Sequence, residues 1–324
     1  MLAPSPGVIA RDSPGVGYGS SEWRIPHVGV VILNWKRPND TRACLHSLRA
    51  LTYPHYQVVV VDNGDSSGDP ASLRREFTWV HFIENGRNLG FAGGSNVGIQ
   101  HLLDAGVDYV FLLNDDTEVA PDLLDILVEA AETNADIAIL GPKICYFSQP
   151  GLVWSAGGRV SHIGEPSHLG VDLPDNREEH DLRDVDYVSG CGILVRSSLI
   201  KRVGVLDERF FAYFEETEWC ARARRAGFRV VYVPRARMWH KIEMTVRGTS
   251  PLYLYLMTRN RLLFLQLRGA GPITIGRCIV DLLRTAGSWA LQPRHQRMRP
   301  YAPVLLVGIR DFLLGRFGRP SAYL

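Results

Sequence analysis

The chain has 324 residues, 46% hydrophobic and 22% charged, which excludes disorder as its main state and suits one large α/β domain with an appendage. The net charge of +2 conceals an asymmetry: residues 251–324 hold 11 Arg, no Lys and 2 Asp, so this tail carries +9 and the remainder −7. Such a tail suits an anionic surface, either membrane lipid or nucleic acid, or is an arginine-rich helical face in solvent. The five cysteines, Cys44, Cys145, Cys191, Cys220 and Cys278, show no paired short spacing, which argues against a zinc site or a disulfide framework and for buried thiols in a reducing compartment. No run approaches the roughly 18 to 20 apolar residues that cross a bilayer. The N-terminus has no basic region followed by an apolar core, so the expected location is cytoplasmic.

Residues 1–25, rich in Pro, Gly and Ser, read as a flexible lead-in, and the fold is expected to begin near Pro26. Short β-branched runs then alternate with helical patterns. Strands are expected over Val28–Leu33, Gln57–Val61, Val80–Ile83 and Tyr109–Leu113, with helices over Thr41–Ala50, Leu73–Phe77, Gly94–Ala105 and Pro121–Ala131. This alternation implies right-handed crossovers and a buried parallel sheet. Beyond residue 145 the pattern is mixed: Gly157-Gly158, a charged loop over Asp172–Asp186, a strand over Gly192–Val195, a helix over Glu216–Ala226 and a strand over Val230–Val233. A helical tail follows over residues 251–318. Three regions result: the lead-in, a body over 26–250 and a basic helical region over 251–324.

Ligands of such sheets bind beyond the carboxyl ends of the strands, where three polar clusters stand: Asn34–Asn39, Asp62–Asp65 and Asn114–Asp116. The adjacent acids Asp115 and Asp116 repel each other unless a cation lies between them and another anion, as Mg²⁺ or Mn²⁺ does beside a nucleotide diphosphate. A solvated turn or a helix cap accounts for the pair equally well. Asp62 at its strand end can accept hydrogen bonds from a base or ribose, or belong to an ordinary Asx turn. The glycine-rich run Asn88–Gly98 reads as a loop entering a helix, where backbone can approach an anion closely. It matches neither the dinucleotide fingerprint nor the phosphate-loop spacing. In Phe210–Trp219 an aromatic run leads into Glu215, Glu216 and Glu218; acids suit a first helical turn, and a carboxylate pair among aromatics also suits a general base. His240 follows Trp239 as a lone imidazole, either structural or a metal ligand.

Taken in order over residues 27–268, these motifs resemble the family 2 glycosyltransferases of the GT-A fold, especially their rhamnosyltransferase-like branch. The resemblance implies an α/β GT-A (Rossmann-like) mostly parallel sheet flanked by helices, with a helical C-terminal appendage. It makes Asn34-Trp35 the first nucleotide-contacting strand end and Asp62-Asn63-Gly64 the nucleobase reader. Arg87, Asn88, Phe91 and Gly94 fall in the donor-binding loop. Asn114-Asp115-Asp116 is the variant of the Asp-X-Asp metal motif, Gly190-Cys191-Gly192 with Gly204–Phe211 the acceptor side, and His240 a further metal ligand. Two positions depart from the family. Asn114 opens the metal motif in place of Asp, which moves metal contact onto Asp116 with Asp115 assisting or facing the ribose. Glu215-Glu216 replaces Glu-Asp, with position favouring Glu216 as the base.

The activity so implied is a metal-dependent, inverting transfer of a sugar from a nucleotide-diphosphate donor to a hydroxyl of a glycan, lipid-linked or small-molecule acceptor. The branch leans towards deoxythymidine-diphosphate rhamnose, then uridine-diphosphate sugars, and towards cell-wall or polysaccharide biosynthesis. Lipid-linked acceptors in many relatives turn the basic tail towards an anionic membrane surface rather than nucleic acid. Its apolar residues pack on the body or form a homo-oligomer in the competing reading. Two rivals stand beside this function: a nucleotide-sugar or glycan-binding module without catalysis, and a sugar-phosphate nucleotidyltransferase, against which Asn34–Pro38 lacks the glycine-rich signature expected after the first strand.

Overall fold

A computed structural model of the protein describes residues 24–64, 70–176, 178–242 and 250–320. The expected lead-in, apart from its last two residues, and Asp65 of the second polar cluster lie outside the described residues.

The first half follows the alternating pattern. Strands β1 (Val28–Asn34), β2 (Tyr56–Asp62), β3 (His81–Glu84) and β4 (Tyr109–Asn114) alternate with helices α1 (Pro38–Arg49), α2 (Pro70–Glu76) and α3 (Gly90–Asp104). They pair in parallel, β1 with β2 and β4, and β2 with β3. Sterics explain the tight layer above them: a side chain at Gly29 or Gly98 would drive into Leu102 or Val31, so the glycines let α3 lie close on the sheet. Helix α1 opens with Pro38 at its first turn, where a missing N–H is no loss.

After β4 come β5 (Thr117–Val119), α4 (Leu123–Glu132) and β6 (Ile137–Tyr146). The sequence pattern shows no element over β6, because Gly141, Pro142 and Lys143 interrupt its apolar run. The structure buries the whole strand, and Lys143 is accommodated by Asp175 at 2.9 Å and the Asn176 carbonyl at 2.7 Å. Short strands β7 (Val153–Ser155), β8 (Gly158–Val160), β9 (Pro166–His168) and β10 (Arg183–Asp184) fill the mixed region, the last inside the segment expected to be all loop. Strand β11 (Gly192–Arg196), helix α5 (Ser197–Val203), helix α6 (Glu215–Arg225) and strand β12 (Arg229–His240) complete the body. The sheet order is β10-β12-β6-β11-β4-β1-β2-β3, and β11 runs antiparallel between β4 and β6, so the sheet is mixed rather than wholly parallel.

Strand β12 does not stop at Val233. Pro234 cannot donate to a ladder, and a register shift between Val233 and Arg237 absorbs it, after which pairing with β6 continues to His240. The tail forms α7 (Pro251–Leu267), α8 (Pro272–Leu291) and α9 (Ala302–Leu313). Ser250 caps α7 by accepting from Tyr253 N–H at 3.1 Å. Leu262, Leu265, Cys278, Leu282 and Ile309 join the three helices in one apolar cluster, while Leu263 and Phe264 pack on Phe210 and Phe214 of the body. All five cysteines are buried. Among the described residues no helix is long and apolar enough to cross a membrane.

Candidate active site

The register Asn34↔Asp62 and Leu33↔Asn114 sets the carboxyl ends of β1, β2 and β4 side by side, so the three polar clusters meet at one sheet edge. Asn34 is fully buried; its Oδ1 accepts from Thr41 Oγ1 at 3.2 Å and its carbonyl from Asn63 N–H at 2.9 Å. Asp62 is buried as well, whereas Trp35 and Arg87 are exposed and Phe91 is half-buried. Asn63 uses its whole side chain on the next loop. Its Nδ2 donates to Asn88 Oδ1 (3.2 Å) and the Gly90 carbonyl (3.0 Å), and its Oδ1 accepts from Asn85 Nδ2 (3.2 Å) and Leu89 N–H (3.0 Å). Asn88 Oδ1 also accepts from Gly90 N–H at 2.7 Å.

The glycine-rich run is therefore the start of α3 itself, four residues earlier than its pattern suggested. Gly90 has φ +76°, and a side chain there would strike the Phe211 carbonyl; one at Gly94 would meet Leu33 and Asn63. Ala92 N–H donates to the Phe211 carbonyl at 3.1 Å. The N–H groups of Gly90 and Ala92 are thus spent inside the protein, and less of this helix start faces an anion than its glycines imply.

Asp115 and Asp116 occupy the turn between β4 and β5. Strand β5 pairs antiparallel with the far end of β12, in register Thr117↔His240, which carries His240 to the acid pair. His240 Nε2 lies 3.1 Å from Asp116 Oδ1, and Arg37 Nη1 donates to Asp116 Oδ2 at 2.6 Å. Burial alone would raise the Asp116 carboxyl, but the His240 hydrogen bond and the Arg37 charge hold it below its ordinary range. Asp115 is pushed up to about 7, first by burial and then by the Asp116 charge. His240 Nδ1 is buried with no partner among the described residues. Its ring meets Trp154 edge-on at 4.9 Å, and Trp154 lies 4.6 Å from His168. Burial, then the His240 charge, lowers His168 to about 4.

Glu215 and Glu216 open α6. They follow a turn in which Phe211, Tyr213 and Phe214 all have positive φ, 66°, 65° and 75°, a conformation that costs a non-glycine residue about 1–3 kcal/mol. Glu215 is buried and Glu216 half-buried, and each has one buried carboxylate oxygen without a partner among the described residues. Burial raises both carboxyls, and the Glu216 charge raises Glu215 further. A methyl group added at Gly190 would sit 3.4 Å from Glu216 Cβ and 3.5 Å from the Phe91 ring, so Gly190 lies between Glu216 and the start of α3. Cys191, whose carbonyl accepts from Asn114 N–H at 3.1 Å, feels the charges of both Asp116 and Glu216. Asp116 and Glu216 therefore both lie near Cys191.

Asp116 and His240 fit a shared divalent cation: two hard or borderline donors stand 3.1 Å apart, and such ions are bound by few protein groups with phosphate oxygens completing the shell. Among the described residues no three His, Cys, Asp or Glu side chains cluster tightly enough to hold one alone. The sequence reading missed Arg37, Trp154 and His168. Arg37 was visible only as a charge in a polar strand end, and the other two carried no spacing signal.

The mixed α/β sheet flanked by helices, with an acid pair and an imidazole gathered at its strand ends, has the GT-A architecture. The glycosyl transferase family 2 model matches residues 29–204. The hexosyltransferase Agl10 of low-salt glycan biosynthesis in Haloferax volcanii is 30% identical over 73% of this chain and 74% of its own length. The N-acetylglucosaminyl-diphospho-decaprenol L-rhamnosyltransferase of Mycobacterium tuberculosis is 31% identical over 70% of this chain and 80% of its own. Among solved structures, the mannosyltransferase PcManGT of Pyrobaculum calidifontis, in complex with GDP-Man and Mn²⁺, superposes with a TM-score of 0.55 at 13% identity, covering 91% of this chain and 89% of that one. TarS of S. aureus with UDP-GlcNAc gives 0.53 at 15% identity, over 89% and 80%. The chain belongs to glycosyl transferase family 2 and is a glycosyltransferase.

Proposed function

We propose that the enzyme transfers a sugar, L-rhamnose in the first instance, from a nucleoside-diphosphate donor to a hydroxyl of a lipid-linked glycan acceptor, with inversion and with help from a divalent cation. The single observation that carries this reading is that His240 Nε2 meets Asp116 at 3.1 Å beside Cys191, which also feels the charge of Glu216. The similarity to the decaprenol-linked L-rhamnosyltransferase supports the donor and the lipid-linked acceptor, and a 25% identical dTDP-rhamnosyl transferase, RfbF of Shigella flexneri, supports the donor again.

Asp116 and His240, with Asp115 beside them, are the residues that would hold Mg²⁺ or Mn²⁺. When bound, the cation neutralises charge that develops on the departing diphosphate. Arg37, already on Asp116, adds positive charge at the same place. The half-buried Glu216 takes the proton from the acceptor hydroxyl as its oxygen bonds to the anomeric carbon. The bond from that carbon to the diphosphate oxygen breaks with its electron pair leaving on the nucleotide. One displacement inverts the anomeric centre and needs no covalent glycosyl-enzyme.

The tail serves this reading in altered form. Arg259 and Arg261 of the basic tail are buried in α7. The most exposed apolar residues of the tail helices lie on α8 and α9, with Ile273 73%, Leu291 82% and Leu313 66% exposed, alongside exposed Arg277, Arg284 and Arg310. Leucines interleaved with arginines suit the headgroup boundary of an anionic membrane.

The test is turnover. Incubation with deoxythymidine-diphosphate rhamnose, Mn²⁺ and a diphospho-polyprenol-linked acceptor should release free nucleoside diphosphate and give a product of inverted anomeric configuration by NMR. Glu216→Gln should slow this by on the order of 10²- to 10⁴-fold with donor affinity retained, and Glu215→Gln is its control. A protein that binds the donor yet releases no nucleoside diphosphate with any acceptor is a non-catalytic binding module, and the proposal fails.

A further inference from the structure

The strained turn before the carboxylate pair is shaped by α7, the first helix of the tail. Asn260 of α7 is fully buried and donates its side-chain amide to three carbonyls of that turn: Phe210 at 2.9 Å, Ala212 at 2.8 Å and Tyr213 at 2.8 Å. An amide has two hydrogens, so one is shared between acceptors. Its Oδ1 accepts from Arg259 Nε at 3.0 Å, which fixes the amide with its nitrogen towards the turn. The Arg259 guanidinium also donates to the carbonyls of Phe210 (3.0 Å), Arg209 (3.3 Å) and Gly318 (2.9 Å). Gly318 N–H returns to the Arg209 carbonyl at 2.7 Å.

Anchoring a helix by apolar contact needs no such groups, and Leu263 and Phe264 already supply that contact to Phe210 and Phe214. Burying an arginine and an amide is costly unless each polar atom is paired. Here the pairing is with carbonyls that positive φ at Phe211, Tyr213 and Phe214 turns inward, away from any regular ladder. The same turn receives Ala92 N–H and abuts Gly90, so its shape also sets the start of α3.

We propose that Asn260, oriented by Arg259, is a positioning residue of the transfer reaction: by fixing the carbonyls of residues 210–213 it sets where α6 begins and therefore where the Glu215–Glu216 carboxylates point. This rests on the reading of Glu216 as the base. Misplacing a catalytic group by about 1 Å costs on the order of 100-fold in rate, so Asn260→Ala should lower kcat by about 10- to 100-fold. Nucleoside-diphosphate binding, titrated by calorimetry on the full-length chain, should keep its stoichiometry and stay within about threefold in affinity, which refers the loss to folded molecules. Asn260→Ser, retaining one donor, should fall between the two.

The deciding measurement is a double-mutant cycle. If Asn260 acts through the base, Asn260→Ala should slow Glu216→Gln by no more than about threefold, because groups acting as a unit are not additive. Effects that multiply in full, or an Asn260→Ala enzyme with wild-type kcat, overturn the proposal. Should Glu216→Gln itself remain active, the base assignment is what fails, and the cycle is closed on Glu215→Gln with the same two outcomes. If the alanine variant does not fold, the cycle is read on Asn260→Ser.

Discussion

Replacing Asp115 by asparagine should stabilise the metal-free protein at pH 8, and by only roughly a third as much at pH 5. In the folded protein Asp115 titrates at about 7 against an ordinary 3.8, because of burial first and the Asp116 charge second. A carboxyl whose folded value is raised favours folding while protonated, and that contribution is lost as pH rises from about 4 through about 7. At roughly 1.4 kcal/mol per pH unit the full difference is about 4 kcal/mol; solvent screening at this partly exposed group brings it to about 2 kcal/mol. Asparagine matches the protonated acid in shape and carries no charge to desolvate. For a chain of this size about 2 kcal/mol corresponds to a rise of about 3 °C in Tm. Calorimetry in chelator at pH 5 and pH 8 measures it, and Mn²⁺ with nucleoside diphosphate should narrow the gap at pH 8 by neutralising the wild-type carboxylate. A variant that melts with wild type at pH 8, or shifts equally at both pH values, would refute the reasoning.

Asp116→Ala should abolish transfer while leaving donor-free Tm within a few degrees, since the side chain sits in the β4–β5 turn; near wild-type activity in chelator would show that no cation acts there. Gly90→Ala should cost more than about 1 kcal/mol in stability, because φ is +76° and the new methyl meets the Phe211 carbonyl; equal urea midpoints would contradict this. Full-length protein should float with anionic vesicles at low salt and detach as salt rises. Ile273→Ser with Leu291→Ser should weaken that flotation at least tenfold, and wild-type protein that stays soluble on such vesicles, or self-associates through the same face, removes the membrane reading. These surface substitutions are preferable to deleting the tail, because Asp311 of α9 binds Tyr255 of α7 at 2.9 Å beneath Arg259.

The parallel half of the sheet and the polar strand ends were legible in the sequence because both are written in local terms. Strand periodicity, the proline at the start of α1 and the acid pair after Phe111–Leu113 each need only a few neighbouring residues to be recognised. The motif order was enough to indicate the family. Tertiary structure alone decided what those residues touch. His240 reaches Asp116 across 124 positions because β12 survives Pro234 through a register shift and pairs with β5, and a proline in an apolar run looks locally like an end. Asn63 reads as a ligand-facing Asx residue, yet among the described residues its four side-chain hydrogen bonds all close on residues 85–90. Arg259 and Arg261 look in sequence like the other arginines of a basic tail. Only the fold shows that Arg259 answers the inward carbonyls of a strained turn, since charge is a property of the residue whereas the partner that makes its burial tolerable comes from elsewhere in the chain.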